Sequence, residues 1–418
     1  MKVLLQQVTI ICPTTAYHKQ VKDILIEEGI IKEISDSINT KDAQIIAGHN
    51  LHVSIGWMDI FADFAEPGYE HKETLQTGAN AAAAGGFTDV MLIPNSNPVV
   101  DNKSQVHYLI EKSKSLPINI FPIAAITKNT EGNTLAEMYD MYDSGAVAFS
   151  DGRKPIQQAG VLLKALQYVA AKNAVVIQQA NDTSISYGGL MHEGIMSTQL
   201  GLPGIPALAE ELMVARDIAL LQYTNSALHI TGVSTKKSIE LIAAAKKDGL
   251  NITCSVTPYH LFFSDEDLHA YDTNLKVNPP LRTKSDVEAL QKALQNKTID
   301  CVASHHNPQS WDDKTCEFEF AKNGMITLQT MYSSINAIVK STEDIVQILT
   351  TNNRNIFGIK IPTIAENEMA CLTIFEPETE YIFEEKAIQS KSKNSPYIGK
   401  KCKGKVIGII HKNKVVIQ

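Results

Sequence analysis

Gly56-Trp57-Met58-Asp59-Ile60-Phe61-Ala62, a helical stretch from Lys72 to Ala84, the turn pair Gly85-Gly86, and the run Phe87-Thr88-Asp89-Val90-Met91-Leu92-Ile93-Pro94 form the segment that decides the fold. Two short apolar runs flank one helical run, the pattern of a strand, a crossover helix and a second strand. Read outward, the alternation repeats, with strands expected at Ile118 to Ala125, Ala146 to Ser150, Ala174 to Ile177, Ala227 to Ile230, Ile252 to Val256 and Ile299 to Ala303. Ala207 to Gln222 reads as one of the separating helices, with Leu208, Leu212, Ala215 and Ala219 at helical spacing. Eight such cycles predict an α/β fold with a parallel sheet closed into a (β/α)8 barrel, whose chemistry sits at the carboxyl ends of the strands.

At 418 residues the chain exceeds what one core usually holds, so a smaller domain is expected beside the barrel. Val3 to Ile11 and Asp23 to Ser35 read as strands, with a hairpin turn at Glu27-Glu28-Gly29. Near the other end Cys371 to Phe375, Glu380 to Phe383, Lys405 to Ile410 and Lys414 to Ile417 have the same character. Two β-rich ends around a different middle predict a small β-sandwich built from residues 1–53 and 363–418, with the barrel over 54–362.

Composition narrows the function classes. Apolar residues at 44% and charged residues at 20% describe a folded globular chain. A formal net charge of -8, from 38 basic and 46 acidic residues, argues against a general nucleic-acid binder. Lys391 to Lys405 is the one basic stretch, and it reads as a solvated loop between strands more readily than as a docking patch. Six cysteines without a CxxC pair read as free thiols of a reducing compartment. With no leader and no run of 18 apolar residues, a cytoplasmic protein that meets no membrane is expected.

The longer run Gly56 to Glu73, which contains Phe61-Ala62-Asp63-Phe64-Ala65-Glu66-Pro67-Gly68, resembles the His-x-His-x-Arg-Glu-Pro-Gly opening of class I dihydroorotases, barrels of the amidohydrolase type. Similar motifs follow in family order: Pro94 to Pro98, Phe149-Ser150-Asp151-Gly152, Gly201 to Gly204, His229 to Thr235, Val256 to Leu261 and Lys276 to Arg282, with Ser390 to Tyr397 in the tail. The resemblance spans essentially the whole chain. It implies an enzyme that opens or closes a cyclic imide with a metal-bound hydroxide, the metal lowering the pKa of water from about 15.7 to about 7.

Carried over residue by residue, the resemblance puts the two first-strand histidines on Phe61 and Asp63 and the fifth-strand histidine on Gln179. The sixth-strand histidine falls on Gly232, and the catalytic aspartate of the eighth strand on His305. Only the fourth-strand carboxylate persists, as Asp151. A phenyl ring or a bare glycine offers no lone pair, and a glutamine is a poor zinc ligand. The family's carboxylate clamp of arginine, asparagine and histidine falls on Ala65, Asn95 and Gln309, so Asn95 alone survives, joined by the pocket residue Asn278.

From these losses the leading expectation is a catalytically silent relative in pyrimidine biosynthesis that takes no cofactor. It would keep a structural or regulatory role, with self-association and aspartate transcarbamoylase as the partners the resemblance implies. The alternative is an active cyclic-amide hydrolase with an altered or mononuclear zinc site formed by Asp63, Asp151 and His305, three donors at strand ends. A third reading is ligand sensing by the emptied bowl. Asn95 and Asn278 are the candidate ligand-binding residues, although asparagines after strands also hold loops. His305 and His306 are expected to point apart, His260 to be packed or hydrogen-bonded, and His71 to shape a helix start.

Overall fold

The computed structural model describes residues 1–418. Its barrel wall consists of β1 (Trp57–Ala62), β2 (Phe87–Leu92), β3 (Asn119–Ala124), β4 (Ala148–Phe149), β5 (Val176–Gln178), β6 (Leu228–Ile230), β7 (Ile252–Val256) and β8 (Cys301–Val302). The eight are parallel and pair in chain order. Where β8 meets β1 the ladder thins to a single bridge, Ala62 to His306, with the Asp63 amide donating to the His306 carbonyl at 2.9 Å. Asp59 completes this seam, because its two carboxylate oxygens accept the Ser304 amide and hydroxyl, each at 2.7 Å. Burial pushes the Asp59 carboxyl up, and the Ser304 bonds pull it back.

Local chemistry sets the element ends. The first barrel helix starts at Leu75, since Thr74 in extended backbone accepts the Thr77 amide as its cap. His71, expected at that start, is instead exposed and lies edge-on to Tyr69. At Gly86 the backbone has φ 90°, and a Cβ there would come within 2.7 Å of the Trp57 ring, so the turn into β2 accepts no larger residue. The helix Leu208–Thr224 forms as expected but presents another face to the core. Leu208 and Leu212 lie half exposed, while Ala209, Met213, Val214 and Leu221 are buried. The apolar stripe misleads because a polar residue shares the buried face: Glu210 accepts the Ser234 and Thr235 amides and faces the buried Arg282.

Both termini build one further sheet. Lys2–Ile11, Val21–Glu27, Ile30–Ser35, Gln44–Ile46 and His52–Ile55 join Cys371–Ile382, Lys401–His411 and Lys414–Ile417. The halves meet where His52–Ile55 pairs antiparallel with Cys371–Ile382, over a separate core that includes Val3, Leu5, Ile24, Val53 and Leu372. The two strands expected around residue 377 are one, bulged between Glu376 and Glu380, because Pro377 has no N–H for the ladder. Gln44–Ile46 and His52–Ile55 were not anticipated; each is too short to show an alternation. At the hairpin, Glu28 (φ 52°) and Gly29 (φ 77°) both take the left-handed backbone of a tight turn.

The basic stretch begins as a strap across the barrel mouth and not as a solvated loop. Ser390, Ser392 and Asn394 are buried while Lys391 and Lys393 face outward. Asn394 donates to the Asn307 and Gly324 carbonyls and accepts the Gln309 amide. All six cysteines are free thiols, and no helix is long and apolar enough to cross a membrane.

Asp59→Ala leaves the buried Ser304 amide without its acceptor and the hydroxyl with only the Phe61 carbonyl at 3.4 Å, so it should cost about 2–4 kcal/mol in urea unfolding. Asp59→Asn, which keeps one acceptor, should cost less; a neutral Asp59→Ala would show that the seam does not hold the barrel shut.

Candidate functional site

At the carboxyl ends of the strands lies a cavity of about 200 Å³ lined by Phe61, Asp63, Arg153, Gln179, Asn278 and His305 among others. A larger cavity, about 670 Å³, opens at the other end of the barrel beside Asp300 and Ser341. There Asp300 pairs with Lys246 and Asp344 with Lys297, and the cavity lies away from the carboxyl ends of the strands, where a barrel of this kind keeps its chemistry.

His305 is the centre of the mouth. Just beyond the seam its backbone turns left-handed, φ 46°, and this swings the imidazole inward. The ring stacks on Phe61 at 4.5 Å between centroids, and its Nε2 lies 2.8 Å from Thr231 Oγ1. It also fills the space above Gly232, where a Cβ would meet His305 Cε1 at 2.7 Å. A histidine at position 232 and this His305 rotamer therefore exclude each other. From Thr231 a chain of polar contacts runs inward through Ser255 to His229, at 2.9 and 3.0 Å. Burial pushes His229 and His305 down to about 3, so both imidazoles are neutral.

His306 does point away from His305, but the cause is the left-handed turn and not the alternation of an extended strand. Its Nδ1 accepts the Thr327 amide at 3.2 Å, and its Nε2 lies 3.6 Å from Glu73. His260 is hydrogen-bonded as expected, to Thr257 Oγ1 at 2.8 Å and toward the Pro279 and Pro280 carbonyls at 3.1 Å.

The acidic candidates are already engaged. Asp63 accepts the Ala65 amide at 2.7 Å on one oxygen and forms an ion pair with Arg153 through the other. Asp151 turns away from the mouth and accepts the Ile126 and Thr127 amides, both at 2.9 Å, together with the Thr127 hydroxyl. Asn95 braces the same loop, donating to the Asp151 carbonyl at 3.0 Å and accepting the Arg153 amide at 2.9 Å. Asn278 lines the cavity, and its carbonyl accepts Gln179 Nε2 at 2.8 Å. Gln309 is held by Lys72 and by the Asn323 carbonyl. Arg153 and Thr231 were missed by the sequence reading; Arg153 directly follows Asp151-Gly152, and its position after a strand was the only signal available.

These strands and this mouth belong to a recognisable lineage. Residues 52–238 match the dihydro-orotase-like family. The chain is 35% identical to the dihydroorotase of Syntrophus aciditrophicus, with 100% of both chains covered. It is 41% identical to that of Caldanaerobacter subterraneus subsp. tengcongensis over 92% of this chain and 90% of that one. In fold it matches an L-hydantoinase from Arthrobacter aurescens with a TM-score of 0.83 at 21% identity, covering 100% of this chain and 96% of that one. The chain belongs to the dihydroorotase family.

Membership overturns the expectation that no cofactor is involved, since dihydroorotases work with zinc and the family's cofactor question therefore applies to this chain. The dihydroorotase ligand positions, tested one by one, do not fit that ion as they stand. Phe61 and Gly232 supply no donor, Gln179 a neutral amide, and Asp63 a carboxylate already neutralised by Arg153. Asp63, Asp151 and His305 are not brought together around a common point, and no three His, Cys, Asp or Glu side chains converge elsewhere.

Two predictions follow from the packing. Gly232→Ala, at φ 67° and against His305, should destabilise by about 1–3 kcal/mol, with part of the loss recovered in a His305→Ala background; additive losses would deny the contact. His229, His260 and His305, each pushed down to about 3 chiefly by burial, regain a value near 6.5 on unfolding. The unfolded chain then binds more protons, so stability is full above pH 6.5 and falls toward pH 3 by up to ~1.4 kcal/mol per pH unit for each histidine. Urea midpoints between pH 7.5 and 4.5 should show this slope, and His305→Gln should make it shallower.

Proposed function

We propose that this member of the dihydroorotase family serves pyrimidine biosynthesis in a structural or regulatory capacity, without hydrolysing the ring at the family's strand ends. The observation that supports this is the placement of His305, which occupies the inward space above Gly232 and is locked there by Phe61 and Thr231. As a neutral imidazole it also cannot act as the anionic carboxylate that the family's chemistry places at this strand. Asp63 is likewise held by Arg153 and is not free to act as a base. Aspartate transcarbamoylase is the partner this reading implies, and co-purification of the two chains would support it.

One observation favours a second reading, an active cyclic-amide hydrolase with a rearranged or mononuclear zinc site: the relatives named above carry the dihydroorotase name at 35% and 41% identity. Turnover of dihydroorotate by the purified chain, with and without added zinc, together with its metal content, separates the two. The first reading expects no turnover above background under either condition. Zinc-dependent turnover that is lost in Asp63→Ala and His305→Ala would establish the second.

A further inference from the structure

Two neighbouring strands give the barrel interior a polar stripe. Along β6 and β7, Leu228, Ile230, Ile252, Cys254 and Val256 pack in the core shared with the helices, so alternation turns His229, Thr231, Thr253 and Ser255 inward. Other strands fill the interior with Met58, Ile60, Met91, Ile123, Val175 and Ile177. Such apolar side chains are what usually pack a barrel of this kind, so packing alone does not call for the stripe.

The stripe is one unbranched chain of contacts. His305 Nε2 meets Thr231 Oγ1 at 2.8 Å, and Thr231 Oγ1 meets Ser255 Oγ at 2.9 Å. Ser255 Oγ meets His229 Nε2 at 3.0 Å, and His229 Nδ1 meets Thr253 Oγ1 at 2.8 Å. The chain opens at both ends. Thr253 is half-buried at the amino end of β7, and His305 Nδ1 has no protein partner at the mouth cavity that the ring lines.

A hydroxyl carries one proton and a neutral imidazole one N–H, and burial keeps both rings neutral. Thr231 and Ser255 each sit between two partners, so each donates to one and accepts from the other. The donors must therefore all run one way. Running toward the mouth, Thr253 donates to His229 Nδ1, His229 carries its proton on Nε2, Thr231 donates to His305 Nε2, and His305 carries its proton on Nδ1. Running the other way, His305 holds Nε2–H and His229 holds Nδ1–H. A mixed chain would set two lone pairs or two protons face to face in a dry core, where losing one hydrogen bond is disfavoured roughly tenfold or more.

We infer that these five side chains form a two-state hydrogen-bond wire through the barrel, by which Thr253 at the amino end sets whether His305 offers a proton or a lone pair to the mouth. The wire forms no covalent bond, and it holds whether or not the mouth hydrolyses a ring.

Long-range proton–nitrogen correlation NMR on the full chain, labelled with 15N at histidine and recorded at about pH 8, reads each tautomer. His229→Gln and His305→Gln identify the two signals. In wild type the rings should hold opposite tautomers, the fraction of Nδ1–H in one matching the fraction of Nε2–H in the other. Thr253→Asp, an acceptor only, should drive His305 to Nε2–H, and Thr253→Lys, a donor only, should drive it to Nδ1–H, each by at least tenfold. With Ser255→Ala added, which cuts the wire, both Thr253 variants should leave His305 with the same tautomer ratio. Like tautomers in wild type, a His305 that ignores both Thr253 variants, or one that follows them equally without the Ser255 hydroxyl overturns the inference. Should Thr253→Lys fail to fold by circular dichroism, wild type and Thr253→Asp decide: opposite tautomers in both uphold the wire, and like tautomers in either overturn it.

Discussion

The mouth of this barrel depends on how its last strand returns to its first. A parallel sheet of eight strands closes only if β8 finds β1, and here the joint is narrow: one bridge and the Asp59 carboxylate gripping Ser304. An ionisable group is buried to do this, which is costly unless every lone pair is used, and Ser304 uses two of them. The chain leaves the seam at His305 in a left-handed turn. The direction of that turn, set within three residues of the closure, decides what occupies the bowl.

What occupies it is a packed unit of several coupled side chains. Phe61 offers a flat face, His305 stacks on it, Gly232 leaves the volume the imidazole needs, and Thr231 fixes its nitrogen. None of these residues is informative alone, since a phenylalanine, a glycine or a histidine at a strand end has many explanations. Together they form a self-consistent interior in which neutral imidazoles and hydroxyls satisfy each other. Around it the charged groups are rearranged in the same spirit, with Asp63 paired to a guanidinium that arrives from the loop after β4.

Much of the scaffold was legible beforehand because it is written in local patterns. Alternation of short apolar runs with helical stretches located all eight barrel strands to within a few residues, and the β-rich ends announced the terminal sheet. Failures came where a non-local partner outweighed the local pattern. Leu208 and Leu212 carry a helical period yet face outward because Glu210 is needed on the inner face to hold the Ser234 and Thr235 amides. Lys391 and Lys393 read as solvated charge, whereas the serines and asparagine between and beside them are what fasten the strap to the mouth.

The identities at positions 61, 179, 232 and 305 were fixed by the sequence, and side-chain chemistry alone says that phenyl, amide and bare backbone are poor company for a cation. Which acids remain free, and where the guanidinium of Arg153 goes, only the tertiary structure decided. Asp63 and Arg153 are 90 residues apart in the chain, and Gly232 and His305 meet only across the closed barrel. Hydrogen bonds and excluded volume act over a few ångströms of space, and separation along the chain carries no record of which groups will be brought that close.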